Sequence, residues 1–160
     1  MEKLNIICVD DQREVLNAVT QDLGEFESKI RIEECESMSE AWDMMEAIDA
    51  KGDFTAIVIT DQVMPKNTGV DLLKKIKSDS RFKSTCTILL TGLATHQDTI
   101  EAINNGDLDY YVEKPWNKEE LHRIIKVLLT KFIFKNGIDY REYTPVIDQK
   151  KLFEYLRKQS

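Results

Sequence analysis

Five polar residues stand at the ends of short apolar runs. Asp10 and Asp11 follow LNIICV (4–9), and Asp61 follows AIVIT (56–60). Thr91 closes TILLT (87–91), and Lys114, with Pro115 behind it, comes just after a run ending at Val112. Any one of them alone reads as a loop residue or a helix cap. Together they offer carboxylates, a hydroxyl and an ammonium. Three carboxylates within about 5 Å repel by roughly 3 kcal/mol per pair at an effective dielectric near 20. Such a group binds protons or binds a cation. Oxygen ligands with open positions suit Mg2+ (or Mn2+), which keeps several waters and shares its sites with phosphate oxygens. A carboxylate nucleophile, a metal, a lysine and a hydroxyl supply what phosphoryl transfer requires: positioning, and neutralised charge on the equatorial oxygens.

These residues act together only if the chain brings the ends of those runs to one rim. Two periodicities alternate along it. Leu4 to Val9 is a buried strand, and Val15, Leu16, Val19 and Leu23 then recur at helical spacing. Ile30 to Cys35 alternates like an edge strand. Ser37 with Glu40 forms a capping-box pattern ahead of a helix through Trp42, Met45 and Ile48. Ala56 to Thr60 is the third strand, and Thr68 caps a helix carrying Val70, Leu72, Leu73 and Ile76. Thr87 to Thr91 is the fourth strand. Thr95 with Asp98 opens a helix through Ile100 and Ile103 that stops near Asn105-Gly106. Leu108 to Val112 is the fifth strand. Asn117 and Glu120 cap a last helix with Leu121, Ile124, Ile125, Leu128, Leu129 and Phe132 on one face. Strand–helix repeated five times with short connections implies an α/β, doubly wound parallel sheet with right-handed crossovers. Ligands in such sheets bind beyond the carboxyl ends of the strands, where the polar residues fall.

The ordered motifs VDD (9–11), DQVMP (61–65) with Gly69 after it, LLTG (89–92) and YVEKPW (111–116) carry a resemblance. Over residues 3 to 132 the chain resembles the receiver domain of two-component response regulators. The resemblance implies the flavodoxin-like (βα)5 fold with strand order 2-1-3-4-5. It implies a switch that phosphorylates and dephosphorylates itself and is otherwise no enzyme. Asp61 would take a phosphoryl group from a phosphohistidine on a sensor histidine kinase or a histidine phosphotransfer protein. Asp11, Asp61 and the backbone carbonyl of Val63 would bind Mg2+ directly, and Asp10 through water. Lys114 would pair with the phosphoryl group. Thr91 would move toward it, and Tyr111 would swing inward behind Thr91. Pro115 matches a proline whose preceding peptide is usually cis. The face formed by the fourth helix, fifth strand and fifth helix is often phosphorylation-sensitive in this family, and a homodimer through it is one expected output.

Two positions depart from the commonest pattern. Val63 and Leu93 are apolar where polar residues would place a hydrolytic water, so the aspartyl phosphate is expected to be long-lived. A Val63→Asn, Leu93→Glu double variant that decays no faster than the parent would remove that expectation. Glu113 should point away from the site. Trp116 should lie near the metal and report on it by fluorescence, with Trp42 as a silent background. His96 and His122 lack a second ligand at metal spacing and read as solvated or capping residues.

The 160 residues suggest one domain with some 25 to 35 residues beyond a compact core, divided here as a receiver over 1–133 and an extension over 134–160. The extension should hold turns and one short helix (148–158) with Leu152, Phe153 and Leu156 inward. It is too short for a complete helix-turn-helix domain, and the net charge of −7 also argues against unaided binding to DNA or anionic membrane. Cys8, Cys35 and Cys86, an odd set inside apolar runs, read as reduced core thiols of a cytoplasmic protein. The N-terminus runs directly into a strand, so no signal peptide is expected, and no apolar stretch nears the roughly 20 residues that span a bilayer. Two further roles stay open: an intermediate receiver in a phosphorelay, and the N-terminal receiver of a larger signalling protein. An aspartate-nucleophile phosphatase would want a second Asp at position 63, which holds Val. A nucleotide or flavin site would want a Gly- or Ser/Thr-rich loop where Asp10-Asp11-Gln12-Arg13-Glu14 stands.

Overall fold

A computed structural model describes residues 2–92 and 97–159, leaving aside the side chains of Asp98 and Thr99. The five strands are β1 (Leu4–Val9), β2 (Arg31–Cys35), β3 (Phe54–Thr60), β4 (Cys86–Thr91) and β5 (Tyr110–Glu113). They form one parallel sheet in the order β2-β1-β3-β4-β5. Between and after them run α1 (Arg13–Asp22), α2 (Met38–Ala50), α3 (Gly69–Ser78), α4 (Gln97–Asn104), α5 (Lys118–Lys135) and α6 (Gln149–Gln159).

Period-two alternation splits the core. Leu4, Ile6 and Cys8 of β1 join Leu16 and Val19 of α1 and Ile124, Ile125 and Phe132 of α5 on one face. Ile7 and Val9 join Met45 of α2, Leu72 and Ile76 of α3 and Ala102 of α4 on the other. Each fully buried Leu or Ile contributes about 1.5–3 kcal/mol relative to exposure. Cys8, Cys35 and Cys86 are buried and free. Burial raises all three thiols, Cys35 to about 12 and Cys86 to about 11, so they stay protonated packing groups.

Helix starts follow the capping residues. Ser37 accepts from the Glu40 N–H at 3.1 Å, while the Glu40 carboxylate reaches back to the Glu36 N–H rather than to Ser37. Thr68 and Asp71 close a complete capping box on α3, where the sequence pattern singles out Thr68 alone. Asn117 caps α5 through the Glu120 N–H. The Thr95–Asp98 start of α4 lies outside the described residues; its end matches, with Gly106 at φ +75° in the left-handed region that stops a helix.

Three boundaries differ from expectation by two residues or more, and β2, β4 and α6 by one. β3 starts at Phe54 because its N–H pairs with the Lys3 carbonyl. β5 starts at Tyr110, later than Leu108: the Thr87 hydroxyl holds the Asp107 carbonyl and the Asp109 carboxylate takes the Thr87 N–H, while the Asp109 N–H reaches the Thr87 carbonyl at 3.0 Å just ahead of the strand. α5 continues to Lys135, since Ile133 and Phe134 still face apolar partners.

The C-terminal segment folds back on α5. A 3-10 stretch (Tyr140–Val146) leads into α6, and Tyr143, Val146, Ile147 and Leu152 join the α1–α5 core. Phe134 stacks on Tyr140 at 5.7 Å and on Tyr155 at 4.8 Å. The inward set is Leu152, Tyr155 and Leu156, whereas Phe153 is 60% exposed, contrary to its expected place. The Thr130 hydroxyl accepts from the Asp148 N–H at 2.9 Å, which fixes the rotation of α6 and turns Phe153 outward. No described helix is long and apolar enough to cross a membrane.

Candidate functional site

β1 and β3 are neighbours with Val9 opposite Thr60, so Asp10 and Asp61 are the next residues out at the same level. Backbone bonds hold both: Asp61 N–H to the Val9 carbonyl (3.0 Å) and Asp10 N–H to the Cys35 carbonyl (3.1 Å). The chain leaves β1 toward β2 on one side and returns as β3 on the other. This is the point where the strand order reverses and a cleft opens.

Three carboxylates meet there. Asp10, Asp11 and Asp61 each offer an oxygen within 4.8 Å of the others; Asp10 and Asp61 are buried, Asp11 is exposed. Asp10 accepts from the Gln12 N–H at 2.9 Å and from Lys114 Nζ at 3.1 Å. Lys114 Nζ also lies 3.2 Å from Asp61 Oδ1, so one ammonium bridges two buried carboxylates. Burial raises the Asp61 carboxyl above its ordinary range; Lys114 pulls it down, and the Asp10 charge raises it again. Among the described residues one lysine stands against three carboxylates, which leaves the cluster short of positive charge. An all-oxygen set with an exposed member fits a hard divalent ion.

Lys114 is held by its backbone as well. Its N–H donates to the Thr91 carbonyl at 3.2 Å, which places Thr91 beside it across the β4–β5 pair. Thr91 is buried at the end of β4. The Lys114–Pro115 peptide is cis, as the resemblance implied. Tyr111 is exposed on β5 (44%), and Glu113 is exposed too. Val63 is 59% exposed, just beyond Asp61. Leu93 and His96 lie outside the described residues.

The loop after Asp61 is supported by Gln62 and Gly69, which belong to the motif read at 61–69 but have no role assigned from the sequence. Gln62 is buried, and its Oε1 accepts from the Val70 N–H at 2.9 Å. A Cβ on Gly69 would stand 2.2 Å from the Asp61 carbonyl oxygen, so only glycine lets α3 start this close to the site. A glutamine directly after the acceptor and a glycine closing a polar loop were the available signals.

Trp116 packs beside the α1–α5 core, and its Nε1–H donates to Asp22 Oδ2 at 2.8 Å. His122 is largely buried, with Nε2 against the Asp22 carbonyl, Nδ1 3.6 Å from Glu25 and its ring edge-on to Phe26 at 5.0 Å. It therefore caps the end of α1, and no cluster of metal-ligating groups includes it among the described residues. Trp42 lies on the other face, edge-on to Phe82 at 5.5 Å with Lys75 over its ring at 4.3 Å.

Comparison with known proteins agrees with this geometry. Residues 6–126 match the response regulator receiver domain family. The chain is 34% identical over 129 residues to the chemotaxis protein CheY1 of Helicobacter pylori, covering 79% of this chain and 97% of that one. It is 30% identical over 133 residues to the response regulator Rre1 of Synechocystis sp., covering 81% of this chain but only 53% of that protein, about half its length. A solved CheY-like receiver domain protein from Methanospirillum hungatei superposes with a TM-score of 0.70 at 27% identity, over 84% of this chain and 99% of that one. Receiver domains are signalling modules phosphorylated by histidine kinases, and they generally bind Mg2+ at an acidic pocket. With the fold, the strand order and the family match in agreement, this chain belongs to the receiver domains of two-component response regulators.

Proposed function

We propose that Asp61 is the phosphoacceptor and that the Asp10–Asp11–Asp61 rim is the Mg2+ site. The observation that carries this reading is Lys114 Nζ, 3.1 Å from Asp10 and 3.2 Å from Asp61 at the reversal of strand order. Asp61 attacks phosphorus, the P–N bond of a phosphohistidine donor breaks, and the imidazole leaves with its electron pair and takes a proton. Asp11, Asp61 and the Val63 carbonyl would hold the metal, with Asp10 contributing through water. The bound ion supplies the positive charge that one lysine cannot. Lys114 follows the transferred group and pairs with its oxygens, and the Thr91 hydroxyl donates to another. Tyr111, outward here, then turns inward behind Thr91.

Incubation with acetyl phosphate and Mg2+ should add about 80 Da, labile to hydroxylamine. A parent chain that never gains this adduct, even from a cognate histidine donor, overturns the reading. Output in this reading passes through protein–protein contact or a homodimer on the α4–β5–α5 face, where Ile100, Ile103, Tyr110 and Tyr111 are exposed. Beryllofluoride with Mg2+ should change mass or partner binding in the parent and not in Asp61→Asn. The division into receiver (1–133) and extension (134–160) belongs to this reading too. The extension shares one core cluster with α5, which supports an appended part of the receiver and not a separate effector.

A further inference from the structure

Asp22 is the last residue of α1, where the helix dipole disfavours a carboxylate, and no basic side chain lies in that turn. Two donors converge on it. The Trp116 indole N–H donates to its carboxylate at 2.8 Å, and His122 donates to its carbonyl. Trp116 stands two residues beyond Lys114, joined to it through Pro115. The other end of α1 meets the site directly: the N–H of Gln12, its N-cap, is held by Asp10 at 2.9 Å.

These bonds close a loop. Asp10 anchors the start of α1, and Asp22 at its far end, about 15 Å away for ten residues, holds Trp116. Lys114 stands between β5 and Trp116, its N–H bonded to Thr91 of β4, and its ammonium returns to Asp10. We propose that Asp22 is a positioning residue for phosphoryl transfer: by gripping the Trp116 indole it fixes the backbone from which Lys114 reaches between Asp10 and Asp61. The proposal rests on the reading of Asp61 as acceptor. It gives α1 a role as a rigid strut between the two partners of the lysine–aspartate pair, beyond its part in the core.

The test uses the full chain with acetyl phosphate, reading the maximal rate of adduct formation, half-saturation by donor and half-saturation by Mg2+. Asp22→Ala should lower the maximal rate about tenfold and shift both half-saturation values less than about twofold, because a slightly misplaced lysine weakens the transition state more than the ground state. Asp22→Asn, whose amide oxygen still accepts from the indole, should stay within about twofold of the parent. Trp116→Phe should match Asp22→Ala, and the double variant should be no slower than either single one. A latch that only stabilises the fold would lower the melting temperature and leave the rate alone. The proposal fails if folded Asp22→Ala labels at the parent's rate, if Asn is as slow as Ala, or if the two losses multiply. Should Asp22→Ala not fold, Trp116→Phe, which keeps an apolar ring, decides by the same rate. Failure of the parent to label strikes the acceptor reading; failure confined to the variants strikes only this one.

Discussion

Lysine–aspartate clusters occupy both edges of the sheet, and they differ in balance. At the edge where β4 and β5 begin, Asp109 accepts from the Thr87 N–H at 2.8 Å and lies 3.5 Å from Lys77 and 3.4 Å from Lys131. Burial works to raise its carboxyl, but Lys77, the Thr87 N–H and Lys131 together outweigh it, and the group is held below its ordinary range. At the edge where β1 and β3 end, one lysine serves two buried carboxylates and a third lies near them. There burial and the Asp10 charge outweigh Lys114, and Asp61 is raised. The same residue types thus build a satisfied clamp at one edge and an unsatisfied site at the other. The number of donors per carboxylate separates them, and the deficit is what a divalent ion and a phosphoryl group would use.

Substitution at the two edges should therefore give opposite results. The largest effect expected is at Asp61. Asp61→Asn should abolish the phosphoryl adduct by intact mass while leaving the metal-free fold as stable as the parent or more so, since it removes an underpaired charge. A clear loss of stability would make this edge a structural clamp too. Next comes Gly69→Ala. Its Cβ would press on the Asp61 backbone, so it should cost about 2–3 kcal/mol in urea unfolding and slow labelling as well.

Asp109→Asn should do the reverse of Asp61→Asn. It should lower stability by about 1–3 kcal/mol by leaving the half-buried Lys77 without its carboxylate, with labelling little changed. The pH dependence sharpens the contrast. Asp109 has a depressed carboxyl, so its stabilisation is present above the unfolded value near 3.8 and is lost as pH falls through the folded value. Asp61 has a raised carboxyl, so in the metal-free protein its contribution is present below 3.8 and is lost as pH rises through the folded value. Urea midpoints measured without metal should thus lose their acid-side fall in Asp109→Asn and their fall on the other side in Asp61→Asn. The smallest effect belongs to Lys131→Ala, less than about 1 kcal/mol, because that side chain is 45% exposed and Lys77 remains. A loss as large as that of Asp109→Asn would mean that Lys131, not Lys77, is the main partner.

Much of this was legible in the order of residues. Strands buried on both faces are written as unbroken apolar runs, and a polar residue at the end of such a run must emerge at the rim. Asp10, Asp61, Thr91 and Lys114 are located that way, and Ser37, Thr68 and Asn117 mark helix starts because capping is a local interaction. The sequence does not separate Phe153 from Leu152, because both are apolar and adjacent on one short helix. The bond from Asp148 to Thr130, eighteen positions apart, and the stack of Tyr155 on Phe134 select which of them faces α5. Asp109 sits inside a segment that reads as strand, with nothing nearby to announce Lys77 or Lys131 as partners.

The one-dimensional pattern determined the α/β class, the five strand–helix units and the residue types gathered at the rim, since each follows from periodicity or from contacts within a few positions. Tertiary structure decided the strand order, which carboxylates share Lys114, the grip of Asp22 on Trp116 and the packing of α6 on α5. Those depend on distances between residues tens of positions apart. A sheet sets such distances only once its strands have chosen their neighbours.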